Sequence, residues 1–207
     1  MTDAEKPESS FRTKKLPVGN MGGMHLIFRT LLLLLTARRR RSKLDIFDTS
    51  SLPMRVLPTD LDIANHVNNG MYLSLMDLGR FDLMIRSGFW AKMRRNGWGP
   101  VVSNETISFR KSLAPWQRYT IETRIIGFDE RAIYFEQRMV ADGEIYASAF
   151  LATRMVSKQA PVTNEEIFEA AGRRPPEDLV LPDWIADWRE NVALPGARRP
   201  APHAWAA

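Results

Sequence analysis

The chain has 207 residues, no cysteine, three histidines and a net charge of +5, which excludes disulfides, thiolate catalysis and cysteine-ligated metals. Arg38 to Arg41 with Lys43 account for the whole excess charge, so the basicity is a local tract rather than a nucleic-acid face, which needs basic residues interleaved with aromatics. A hydrophobic content of 44% is enough for one core of about 150 residues with flanking segments.

Residues 1–23 are polar and read as a disordered leader, with Met21 and Met24 as alternative starts. Residues 26–37 are apolar except for Arg29, Thr30 and Thr36. A helix of about 12 residues at ~1.5 Å each reaches only ~18 Å, short of the ~30 Å hydrocarbon core. The basic cluster follows the apolar run, whereas a secretory signal places it before. Residues 24–43 are therefore expected to lie on an anionic membrane surface, with the Arg29 head reaching the interface, or else to dock on the chain's own domain.

A domain over residues 44–158 opens with a short strand at Met54, Arg55, Val56 and Leu57. Asp60, Asp62, His66, Asn68 and Asn69 then crowd into ten residues after Pro58, a composition that suits a strand end and a loop. Asn68 or Asn69 is a natural N-cap for the segment that follows. That segment, from Met71 to Ile85, is apolar on nearly every side and stops at Gly88, so it predicts a long buried helix. Its positive end attracts negative charge. Gly88 to Pro100 reads as a connection, with Trp90 and Trp98 either covering a channel end or filling core.

Period-2 alternation then predicts strands around residues 106–113, 119–125, 133–140 and 145–151, with a tight hairpin at Asp142-Gly143. One face of this antiparallel sheet is expected to be buried. Small Ala147 and Ala149 make room for the helix, which itself carries Gly79. Thr163, Asn164, Glu165 and Glu166 form a capping box opening a short helix that ends at Gly172. A second short helix over residues 182–192 puts Trp184, Ile185 and Trp188 on one side. Residues 159–194 are thus a helical extension, and 195–207 a loose tail. One helix and one antiparallel sheet give an α+β class.

The motif Asp60-x-Asp62-x-x-x-His66-Val67-Asn68-Asn69-x-x-Tyr72 resembles the signature of hotdog-fold thioesterases of the 4-hydroxybenzoyl-CoA and acyl-ACP thioesterase type. Leu44 to Ser50, Pro58 to Ile63, Tyr72 to Arg80 and Ile107 to Leu113 resemble the branch of thioesterase superfamily member 6 and its bacterial relatives. The resemblance covers roughly residues 44–156. It implies a curved antiparallel sheet wrapped around one long buried helix, an acyl-CoA thioester substrate, and a homo-oligomer that closes the open sheet edge. No cofactor is implied beyond coenzyme A as part of the substrate. Relatives usually carry Gly before the His; here it is Asn65, a residue that tolerates a positive φ.

A thioester carbonyl is attacked by a carboxylate, or by water that a carboxylate deprotonates, and backbone N–H groups at a helix N-terminus stabilise the oxyanion. The resemblance maps the catalytic carboxylate onto Asp62, which otherwise braces the loop; Asp60 is read as a loop-fixing acceptor. His66 polarises the carbonyl, orients Asp62, or serves structure alone. Asn68 caps the helix or touches substrate. Glu105 is a further candidate because it precedes a strand near the implied site. Arg110 and Lys111 either hold coenzyme A phosphates or form a solvated strand end. Two other readings compete: a hydratase or dehydratase, which fits this Asp–His spacing poorly, and a non-catalytic acyl-lipid binder acting in membrane lipid homeostasis.

Overall fold

The computed structural model describes residues 28–31, 43–158, 160–196 and 199–203. Among them, β1 (Ser50–Arg55) leads through a 3-10 turn (Pro58–Asp60) and a loop into α1 (Asn69–Arg86). α2 (Phe89–Asn96) and β2 (Gly99–Phe109) follow, then β3 (Arg118–Phe128), β4 (Ile133–Ala141) and β5 (Glu144–Val156). α3 (Asn164–Ala171) and α4 (Asp183–Val192) complete the order. The five strands form one antiparallel sheet in the order β1-β3-β4-β5-β2, with α1 as the long buried helix expected of a hotdog fold.

α1 is buried because its apolar residues occupy most of its circumference. Leu75 and Met76 meet Ile121, Met139, Ala147 and Ala149 in one core, and Leu83 meets Ile125, Phe135, Leu151 and Ile167 in a second. Gly79 marks the closest approach. A Cβ there would stand 2.6 Å from Ile121 Cγ2 and from Thr123 Oγ1, both on β3. Overpacking costs up to about 3 kcal/mol, while Gly→Ala in a helix returns about 1 kcal/mol. Gly79→Ala should therefore lose roughly 2 kcal/mol of stability in urea unfolding with an unchanged slope; an unchanged or higher midpoint would contradict this packing.

Three boundaries differ from the sequence expectation. β1 starts at Ser50, not at Met54, because Ser50 is buried and donates to the buried Asp82 of α1 (Oγ to Oδ2, 2.6 Å). The supposed connection after Gly88 contains α2, bracketed by Gly88 at φ 76° and Gly97 at φ 68°; Trp90 there packs edge-on against Phe81 at 5.3 Å. β2 begins at Gly99, well before residue 106. The hairpin turns as expected, with Asp142 at φ 53° and Gly143 at φ 75°.

The sheet's second face is partly covered as well. α4 lays Ile185, fully buried, over Ile126, Tyr134 and Ala152, and Trp184 meets Phe150 edge-on at 4.8 Å. Arg189 fixes α4 through Asn104 Oδ1 (3.0 Å) and Asp129 Oδ2 (3.2 Å). α3 opens with the expected capping box, Thr163 and Glu166 bonding reciprocally, and ends at Gly172 with φ 73°.

Most of residues 24–43 lies outside the described residues. The helical turn at 28–31 is described, and its Arg29 does not extend towards solvent. Its Nη2 donates to Asp60 Oδ2 at 2.8 Å, with 8% and 0% of the two side chains exposed. The expectation of an Arg29 head at a lipid interface therefore gives way to docking on the domain, because a fully buried carboxylate waits there. Among the described residues no helix is long and apolar enough to cross a membrane.

Candidate functional site

The loop between the 3-10 turn and α1 is held from several sides. Asp60 Oδ2 accepts from Leu57 N (2.8 Å) as well as from Arg29, and its carbonyl accepts from Asn68 N (2.8 Å). Leu61 and Val67 form an antiparallel bridge, and Val67 N donates to Leu113 O at 3.1 Å. Tyr72 OH accepts from Leu113 N at 3.2 Å, tying α1 to the same connection. Asp60 is thus the loop-fixing acceptor that the sequence suggested.

Asp62 sits at the tip of this loop. Its backbone N–H donates to His66 O (2.9 Å), and its Oδ1 accepts from Ala64 N (2.8 Å) and His66 N (3.4 Å). Oδ2 has no hydrogen-bond partner among the described residues. Asn65 closes the turn at φ 60°, so the residue standing where Gly is usual adopts the left-handed conformation. Asp62 meets the His66 backbone only, and both side chains are exposed.

Asn68 is the N-cap of α1. Its Oδ1 accepts from Gly70 N at 2.8 Å and its carbonyl from Met71 N at 2.8 Å. Asn68 thereby occupies two of the first-turn donors and leaves Asn69 N–H free of its own bonds. Asp62, His66 and Asn68 thus come together at one end of α1.

The other three candidates lie elsewhere. Glu105 is on β2, with Oε1 3.9 Å from Arg80 Nη1. Arg110 and Lys111 both pair with the exposed Glu144; Lys111 first and Arg110 second hold its carboxyl down to about 2.

Reasoning from sequence missed a second polar cluster, midway along α1. Arg80 is buried, donates to Gln137 Oε1 at 2.5 Å and pairs with Asp77. Gln137 Nε2 in turn donates to Met76 O and Thr123 Oγ1, each at 2.8 Å. Burial lowers the Arg80 guanidinium to about 10, with Glu105 pulling the other way, so it stays cationic at neutral pH. The available signal was a charged pair three residues apart inside a mostly apolar helix. Asp77 and Arg80 border a cavity of about 310 Å³ that also reaches Phe81, Phe135 and Thr153. Neither Asp62 nor His66 lines it, and neither do Trp90 or Trp98. Among the described residues no group of His, Asp and Glu is placed to hold a metal.

Comparison with known proteins agrees with this architecture. The thioesterase-like superfamily matches residues 56–188. A Xenopus laevis protein, THEM6, is 34% identical over 161 residues, which cover 77% of this chain and 76% of that one. A probable thioesterase of Saccharomyces cerevisiae is 31% identical over 120 residues, 56% of this chain and 51% of the yeast protein. Among solved structures, the probable thioesterase YbaW of Escherichia coli superposes with a TM-score of 0.55 at 21% identity, covering 58% of this chain and 95% of that one. With well over half of its length matched by the family and its α1-and-sheet architecture shared, the chain belongs to the thioesterase-like superfamily.

Proposed function

We propose that this protein hydrolyses acyl thioesters, an acyl-CoA in particular, with Asp62 as the reacting carboxylate. The observation that carries the reading is a carboxylate locked by backbone hydrogen bonds at the N-terminus of a buried helix, in a chain of this superfamily. Asp62 attacks the carbonyl carbon, the C–S bond breaks, the thiolate leaves and takes a proton, and water hydrolyses the resulting anhydride. Alternatively Asp62 removes a proton from water, which attacks directly. Either route places negative charge on the carbonyl oxygen, for which Asn69 N–H at the tip of α1 is the assigned donor. His66 orients the substrate carbonyl from the same loop. Glu105 supports Arg80 from β2.

One observation favours a second carboxylate. Asp77, not Asp62, lines the cavity. Asp62→Asn and Asp77→Asn, assayed side by side for free-thiol release from acyl-CoA, separate the two assignments. Loss of turnover in Asp77→Asn alone would move the chemistry to α1. Binding of the acyl group without thiol release would instead favour the non-catalytic lipid binder.

The exposure of Asp62 and His66 is explained if a second copy covers them. Ile63 between them is fully exposed, and β2, paired only with β5 among the described strands, exposes Val101, Val102 and Phe109. An open edge of this kind invites pairing with another chain. Light scattering at micromolar concentration should therefore give a dimer or larger assembly, and an active strict monomer would refute it.

Arg110 and Lys111 are assigned to the coenzyme A phosphates. Two exposed charged contacts at roughly 0.7 kcal/mol each amount to about tenfold in affinity. The double variant Arg110→Ala/Lys111→Ala should raise KM for acyl-CoA by about that factor and leave a thioester lacking the nucleotide unaffected. Equal effects on both substrates would sink the assignment.

A further inference from the structure

A basic, aromatic corner lies beside the loop that carries Asp62. Trp116, between β2 and β3, has φ 62°, a backbone that is an outlier for a bulky residue and that clusters at functional sites. Its ring nonetheless stays 53% exposed, so core packing does not explain it. Arg55 Nε donates to the Trp116 carbonyl at 2.9 Å, and the Arg55 guanidinium stands over the ring at 5.8 Å.

Arg55 ends β1 and lies in register with Arg118 at the start of β3. Like charges directly opposite each other across a sheet are destabilising. Both arginines are exposed, and neither pairs with a carboxylate among the described residues. An anion from outside the chain relieves that repulsion, and the planar guanidinium fork suits phosphate. The corner continues to Arg110 and Lys111. Gln117 donates to Tyr146 OH at 3.1 Å, and the Lys111 ammonium stands over the Tyr146 ring at 5.7 Å. It is also tied to the reacting loop from both strands. Leu113, shortly before Trp116, accepts from Val67 N, and Leu57, shortly after Arg55, donates to Asp60.

We infer that Trp116, Arg55 and Arg118 seat the 3′-phosphoadenosine end of an acyl-CoA, with the adenine stacked on the Trp116 ring and the 3′-phosphate held by the two arginines. The inference rests on the acyl-CoA reading and names the residues that recognise its nucleotide. Arg110 and Lys111 then meet the diphosphate between that nucleotide and the arm that carries the thioester. Aromatic rings bind any base through its π-face, so the purine selectivity is modest and the selection is for the 3′-phosphate. A thioester on an arm without a nucleotide gains nothing from this corner.

The test is calorimetric titration of the full-length protein with adenosine 3′,5′-bisphosphate and with adenosine 5′-monophosphate. The bisphosphate should bind about tenfold more tightly, and Arg118→Gln should abolish that difference. Trp116→Asn should weaken both nucleotides by about tenfold, as a base loses its aromatic stacking partner. Asn tolerates a positive φ, and the bond from Arg55 ends on a backbone carbonyl, so the fold survives this change. Arg131→Gln, at an exposed arginine between β3 and β4, should alter neither affinity. No preference for the bisphosphate, a preference that survives Arg118→Gln, indifference to Trp116→Asn, or an equal loss in Arg131→Gln would overturn the inference. Nucleotide binding requires no turnover, so the two failures are distinct. Thiol release without this binding pattern rejects the nucleotide seat alone, and the pattern without thiol release rejects the hydrolase alone.

Discussion

Replacing Asp62 by Asn should lower turnover of an acyl thioester by more than about a hundredfold, a barrier increase of ~3 kcal/mol or more. Asn matches the shape of Asp and its side-chain oxygen still accepts from Ala64 N and His66 N, where Oδ1 now sits. The loop is also anchored independently by Asp60, the Leu61–Val67 bridge and Leu113. The substitution therefore removes the negative charge of the loop-tip carboxylate and little else. A thermal midpoint within a degree or two of the parent, together with lost turnover, is the expected combination. Unchanged turnover would remove Asp62 from the mechanism.

Arg29→Ala should have the largest effect on stability. Arg29 crosses 31 positions of sequence to reach a carboxylate with no exposed surface. Removing one partner of a buried ion pair costs on the order of 3 kcal/mol, because the remaining carboxylate stays buried after losing that cation. The pair itself is worth far less than that, so Arg29→Met/Asp60→Asn should recover much of the loss. Chemical denaturation of Arg29→Met, Asp60→Asn and the double variant reads the coupling directly. If Arg29→Ala unfolds at the parent's midpoint, residues 28–31 do not dock on the domain in solution. Because Asp60 also receives Leu57 N and its carbonyl receives Asn68 N, the same variant should loosen the loop that carries Asp62.

The parts of the fold legible in the sequence were those written in local pattern. α1 announced itself through an apolar run and an Asn cap, and the β4–β5 hairpin through Asp142-Gly143. α3 did so through Thr163 and Glu166. β1 was misjudged because Ser50 looks like a loop residue until Asp82, 32 positions later, is folded against it. α2 hid between two glycines that read as loop punctuation and in fact mark its ends. The covering of the second sheet face by Ile185 needed the path of the extension, which alternation does not encode.

The same division holds for the site. Asp60, Asp62, His66 and Asn68 are neighbours in sequence, so their association was readable before any fold was known. The cavity is assembled from α1, α2, β2, β3, β4, β5 and α3 together with Ile46 and Phe47. Its polar members, Asp77, Arg80 and Thr153, look in sequence like one helix ion pair and one strand threonine. Only the packing shows that they share a wall, and only the packing sets Glu105 of β2 beside Arg80 of α1.

The central claim is hydrolysis of the thioester bond by this chain. Its most direct test is a panel of acyl-CoA substrates from acetyl to palmitoyl, with aromatic members, incubated with the purified full-length protein while free thiol is followed against time. Thiol release should be proportional to enzyme and lost in Asp62→Asn. Thiol at background across the whole panel would contradict it.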